Sequence, residues 1–198
     1  MVRIMLIFVL LSFSSSIAQP LKSYGLKLGG TFATQSWEFS RSPQFTPEYQ
    51  LGPAAGIFVE GFKVGNFSVL AEFWYLQKGF STTIDKVAIS PKLVYLSLPF
   101  FLKYRIGDMD LTYYVMAGPR IDYLFQIDAQ HVTAVTDAFS EGNSDIGISV
   151  GIGSQFNVWL VGNVITEFRF SPSLVNAFQN DSLTIRNNSF ELVLGIAM

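Results

Sequence analysis

Ten charged side chains recur at alternate positions within segments that are otherwise apolar or small: Lys27, Glu60, Glu72, Lys103, Arg105, Arg120, Asp122, Glu167, Arg169 and Glu191. Brought to one interior, such groups could do three things. One sign gathered in a ring would select ions in a pore. A carboxylate with a shifted pKa could move protons. Opposite signs in balance would pair and fill the space, because an unpaired charge away from water is costly. The balance of five cations against five anions favours structural pairing and a plugged interior. Glu72 and Lys103, on neighbouring segments at similar depth, are the expected pair.

The single histidine, His131, has Asp128, Asp137 and Glu141 near it along the chain. That set could hold a metal or relay a proton, but a lone histidine in a polar stretch reads more simply as a solvated side chain. A lipid-acting barrel hydrolase would need a histidine beside a serine at the membrane interface. His131 could serve only by folding back onto the rim. The absence of Cys excludes a disulfide framework, thiol catalysis and Cys-ligated zinc. No catalytic constellation, cofactor site or metal site is expected.

The charges are positioned by segments with a period of two. Residues 92–106 show it most fully. Val94, Leu96, Leu98, Phe100, Leu102 and Tyr104 form one unbroken apolar face, and Tyr95, Ser97, Pro99, Phe101, Lys103 and Arg105 form a mixed one. Lipid on one side and a polar interior on the other would produce this pattern. It recurs in residues 24–33, 53–62, 67–78, 111–125, 146–152, 160–170 and 189–198. Pro99 is awkward in a paired strand, since it removes a ladder hydrogen bond and a closed sheet has no free edge. A local bulge, or lumen water at the missing bond, is expected there. Pro119 poses the same problem more mildly.

That makes about eight strands of about ten residues, the length that crosses a bilayer when tilted. The connections alternate long and short. Residues 35–50, 79–91, 126–143 and 171–187 are the long ones, and tight turns fall at 63–66, 107–110 and near Asn157. The fold class is therefore all-β: a closed antiparallel transmembrane β-barrel with long extracellular loops and short periplasmic turns.

Composition agrees. Only 14% of the 198 residues are charged while 15% are aromatic, which suits a protein whose outer face contacts lipid. A net charge of -2 provides no basic surface for nucleic acid. Arg3, the apolar run 4–11 and Ser16-Ile17-Ala18 read as a secretory signal peptide, residues 1–18, cleaved to leave a barrel of residues 19–198.

The segment Tyr95-Leu96-Ser97-Leu98-Pro99-Phe100-Phe101-Leu102-Lys103-Tyr104 resembles the Y-L-x-I-P-L-L-L-K-Y strand of the PorT-like outer-membrane β-barrel family of Bacteroidetes. Gly25-Leu26-Lys27-Leu28-Gly29-Gly30 is similar to that family's first strand, Glu72-Phe73-Trp74-Tyr75-Leu76-Gln77-Lys78-Gly79 to its E-L-x-Y-x-Q-K-G, and Ala117-Gly118-Pro119 to its G-P turn. Ala18-Gln19 resembles the usual signal-peptide junction. The chain departs at its C-terminus, where Ile196-Ala197-Met198 stands in place of the aromatic that the barrel-insertion machinery reads. Asp181-Ser182-Leu183 resembles the short O-glycosylation motif of Bacteroidetes exported proteins. The resemblance implies an outer-membrane protein, and the family's namesake is implicated in secretion of virulence proteins and gliding adhesins.

The function expected is a non-enzymatic outer-membrane barrel with a side-chain-filled lumen, serving envelope structure, adhesion or secretion through its loops. Its partners would be outer-membrane lipid, the insertion machinery and an envelope or secretion-system protein. Trp37, Phe39, Phe45 and Tyr49 fit an interfacial girdle, with a partner- or glycan-binding surface as the alternative. A small-solute channel is the competing function, opposed by the bulky inward residues Phe58, Trp74, Tyr95, Phe101 and Tyr114. A soluble lipocalin-like barrel and a lipid-acting enzyme are the remaining alternatives.

Overall fold

The computed structural model describes residues 21–39, 48–84, 87–107, 111–128, 144–160, 162–174, 178–180 and 183–198. Residues 1–18, His131, Asp137, Glu141, Phe45 and the Asp181-Ser182 pair, all singled out above, lie outside them.

Eight long strands form the wall: β1 (Ser23–Phe39), β2 (Glu48–Val64), β3 (Phe67–Ile84), β5 (Lys92–Gly107), β6 (Leu111–Asp128), β7 (Ser144–Val158), β8 (Gly162–Pro172) and β10 (Leu183–Ala197). Two short strands, β4 (Val87–Ile89) and β9 (Phe178–Asn180), pair with the far ends of β3 and β10. Each wall strand pairs antiparallel with its neighbour in sequence, and β1 pairs with β10 from Gly25↔Ala197 to Phe39↔Leu183. That last ladder closes the barrel and removes the sheet edge.

The alternation sets the two faces. Lys27 is 1% exposed while its neighbours Leu26 and Leu28 are 63% and 66% exposed. The same contrast runs along every wall strand, as in Lys103 against Leu102 and Tyr104, or Glu191 against Leu192. An apolar surface of this extent around the whole circumference is stable against hydrocarbon and not against water. Where polar residues face outward on β7 and β8 they satisfy each other, Ser154 Oγ lying 2.8 Å from Thr166 Oγ1.

The strands exceed the ten residues expected, running from 11 in β8 to 18 in β3 and β6. Pairing continues past the bilayer's needs. Residues 35–39 and 183–187, read as loop, are paired strand. The β7–β8 turn falls at Trp159–Leu160, so Leu160 is an exposed turn residue and not a strand residue. The β2–β3 connection is the tight turn expected, with Gly65 supplying the left-handed conformation at φ +59°.

One expectation about β5 is corrected. Val94, expected on the lipid face, is buried, although β5 keeps its register with β3 there through Gln77↔Val94 and Leu76↔Tyr95. The bulge nearby is on β6, where Phe125 is the extra residue between Val94↔Gln126 and Tyr95↔Leu124 and Phe125 and Gln126 are exposed in succession. Pro99, where a bulge or a missing ladder bond was expected, has no bulge. Register is continuous across it, from Ala71↔Phe100 to Trp74↔Ser97, and the ladder is only interrupted.

Close approach of β5 and β6 beside Pro99 depends on Gly118. A Cβ there would lie 1.8 Å from the Phe100 carbonyl oxygen, whereas one on Gly61 would meet nothing within 4 Å. Gly118→Ala is expected to destabilise the barrel by about 1–3 kcal/mol through overpacking against backbone. Gly61→Ala is expected to cost nothing measurable. Midpoints of the compact-to-unfolded gel shift on heating, compared for the two variants, check this.

Candidate functional site: the charged lumen

Eight strands enclose an interior just wide enough for side chains to fill. The inward residues stack in three charged levels along the axis, and all ten charges singled out from sequence point into it.

At the middle level, four charges close on one another. Glu72 on β3 receives a bidentate Arg169 guanidinium, Nη1 to Oε2 at 2.6 Å and Nη2 to Oε1 at 2.8 Å. Lys27 Nζ donates to Glu72 Oε1 at 2.5 Å and to Glu167 Oε1 at 2.7 Å. Trp74 Nε1 donates to Glu72 Oε2 at 2.7 Å, and Tyr114 OH to Glu167 Oε1 at 2.6 Å. Arg169 Nε donates to Glu167 Oε2 at 3.0 Å, and its Nη2 also contacts that oxygen. Every carboxylate oxygen accepts two donors, which is the condition under which buried ion pairs are tolerated. Rings complete the plug. Arg169 lies 5.2 Å from the Trp74 and Phe101 rings, and Lys27 Nζ 4.7 Å from Phe58. Phe58, Leu70, Phe101, Tyr114, Met116, Ile165 and Ala197 form the apolar cluster around it.

At the end carrying the short turns and both strand termini, Glu60 serves three cations. Lys103 Nζ lies 3.1 Å from Oε2, Lys22 Nζ lies 3.2 Å from Oε1, and Arg105 also contacts Oε1. Ser68 Oγ donates to Glu60 at 2.7 Å, and Lys103 Nζ sits 3.8 Å over the Tyr114 ring. Lys22, outside the strands, has its pKa lowered because half-burial disfavours the ammonium more than Glu60 restores it.

At the loop end, Lys78 Nζ contacts Asp122 Oδ2 at 2.5 Å and Arg120 Nε contacts the same oxygen at 3.0 Å. Arg120 Nη1 is 3.8 Å from Glu191. Asp145 Oδ2 accepts from Ser173 Oγ at 2.6 Å and from Asn187 Nδ2 at 3.0 Å.

The expected Glu72–Lys103 pair is not formed. The β3–β5 register aligns Lys103 with Ser68 and brings Glu72 to the level of Pro99, so Lys103 reaches Glu60 while Glu72 reaches across to β1 and β8. Sequence reasoning also left Lys78 and Asp145 out of the network. Both carry the inward parity: Lys78 continues Glu72, Trp74 and Leu76, and Asp145 precedes Gly147 and Ser149 in step. Among the described residues no three carboxylate or imidazole groups converge as a metal site.

Removal of Glu72 leaves Arg169 and Lys27 sharing one carboxylate. Glu72→Ala is expected to cost about 3–5 kcal/mol, the range for breaking a buried pair. A double-mutant cycle by urea unfolding should find coupling between Glu60 and Lys103 and little between Glu72 and Lys103.

A family model described as outer membrane protein beta-barrel domain matches residues 17–179. A comparison with the curated proteins finds no match. Among solved structures, the chain is similar to the outer membrane protein OprG from Pseudomonas aeruginosa, with TM-score 0.55 and 9% identity over 91% of this chain and 97% of that one. It is similar to Neisserial surface protein A, with TM-score 0.50 and 11% identity over 87% and 96%. It also matches Ail, the attachment invasion locus protein of Yersinia pestis, with TM-score 0.44 and 14% identity over 89% and 98%. At these identities the first two speak for the fold alone, a closed eight-stranded antiparallel barrel. With the match over most of its length, the chain belongs to the outer membrane protein beta-barrel domain family.

Proposed function

We propose that the protein is a closed, non-conducting and non-enzymatic outer-membrane barrel, exported by a cleaved signal peptide of residues 1–18. Its work lies at the two ends of the barrel, as envelope structure, adhesion or an accessory role in secretion of the PorT-like kind. The ten lumen charges then serve structure. One observation carries this reading: the Lys27–Glu72–Glu167–Arg169 cluster leaves no carboxylate oxygen free at mid-lumen. A transport site needs groups that can exchange partners with a passing solute, and a proton-transfer site needs one that can change charge. Here each such change would strand a buried opposite charge.

The resemblance of residues 95–104 to the PorT-like strand supports an outer-membrane barrel and does not choose among these three roles. Partners would then be lipid along the wall, the insertion machinery during assembly, and an envelope protein at the loops or turns.

Reconstitution into planar bilayers tests the closed lumen. The native barrel is expected to give no stepwise conductance, and Glu72→Ala combined with Arg169→Ala to give small openings or loss of the compact form. Discrete openings of the native protein would transfer the assignment to a small-solute channel.

A further inference from the structure

Among the described residues, Phe62 alone of the non-glycine residues has a left-handed backbone, with φ +53°. A bulky side chain is strained in that conformation, because its Cβ crowds the following carbonyl oxygen. Gly61, one position earlier, would tolerate it and does not adopt it.

The strain sits in a β-bulge. Phe62 and Lys63 together oppose Ser68, between the pairs Gly61↔Val69 and Val64↔Phe67. Strand alternation after Phe58 and Glu60, both buried, would send Phe62 into the lumen. Ser68 and Arg105 already crowd Glu60 there. The left-handed turn swings the ring outward, and Phe62 is 48% exposed. Clearing the lumen does not require an aromatic, since glycine would leave the same space without strain. A contact outside the barrel is needed to account for the ring.

The surroundings show what that contact is. Leu21, Tyr24, Val59, Val64 and Phe67 are each 46% exposed or more. Tyr24 pairs with Val59, so the apolar rim over β1–β3 is continuous with the lipid-facing wall. Lys63 and Lys22 border it and are both exposed, Lys22 while bonded to Glu60 at 3.2 Å. Apolar and aromatic side chains edged by ammonium groups match the boundary between acyl chains and phosphates.

We propose that Phe62 anchors the short-turn rim of β1–β3 in the phospholipid headgroup layer, with its ring at the acyl ester level and Lys63 at the phosphates. Contact with lipid offsets the strain of the left-handed backbone. It fixes the depth of the end at which β1 starts and β10 stops. The anchor depends on the lipid-facing wall and holds whether or not the lumen conducts.

The test uses the barrel extracted from outer membranes and reconstituted into phosphatidylcholine bilayers. Phe62→Trp is combined with Trp37→Phe and Trp159→Phe, leaving the lumen residue Trp74, 3% exposed, as a constant background. Phosphatidylcholine brominated near the headgroup end of its chains is expected to quench the added indole about twofold, and aqueous iodide to leave it unchanged. Phe62→Ala, which loses the ring and keeps the strained Cβ, is expected to lower the heat-unfolding midpoint in these bilayers by about 2–4 °C. Phe62→Gly, which also releases the strain, is expected to lower it less. The alanine and glycine pair serves where the tryptophan variant does not fold. Quenching by iodide and not by brominated lipid would overturn the proposal and give the ring to a periplasmic protein. Quenching by neither would place it against the barrel's own wall and overturn the proposal too. So would a Phe62→Ala barrel as stable as the native one.

Discussion

The pairing of β1 with β10 is the contact on which the remainder depends. In hydrocarbon no water satisfies a free backbone amide or carbonyl, so an open sheet edge cannot stand in a membrane. The first strand therefore has to find the last, across nearly the whole length of the chain, before any outward face can rest in lipid. The ladder that does this continues from Gly25↔Ala197 to Phe39↔Leu183. Its far third lies beyond what crossing requires, so the closure is reinforced outside the bilayer as well as within it.

Closure at eight strands then dictates the interior. The wall leaves room for side chains but for little else, so every inward charge has to find its counter-charge within arm's reach. The middle level meets this demand completely, with two cations, two carboxylates, a tyrosine hydroxyl and an indole N–H bonding in a closed set. The ends meet it differently. Three cations gather on Glu60 at the turn end, whereas among the described buried groups of the loop end Lys78 and Arg120 share Asp122. The neutral, ring-packed centre separates them.

This arrangement connects stability with function. A plugged centre gives a rigid wall, and a rigid wall can present different loops without changing itself. The same division is common to folds whose sites lie on connections held by a stable scaffold. The exposed Trp159–Leu160 turn extends the apolar wall to the rim that carries the short turns, where an indole is well suited to the headgroup layer.

Much of this was legible in the chain alone, for a local reason. A strand turns each successive side chain to the opposite face, so parity along one segment decides which residues meet lipid and which meet the lumen. Lys27, Glu60, Glu72, Lys103, Arg120, Asp122, Glu167, Arg169 and Glu191 are buried as their parity required, and Arg105 points inward at the rim. The long and short spacing of the alternating runs likewise carried the antiparallel order of the barrel. Partner choice was not legible. It depends on the stagger between strands, and the β3–β5 register placed Glu72 opposite Pro99 and sent it across the lumen to Arg169. Nor was the extra residue at Phe125 on β6, or the burial of Val94, whose parity sets it on the outer face. Period-two alternation is a property of one segment and can be read from it. Register, bulges and cross-lumen pairing are properties of the closed sheet, and only its assembly decides them.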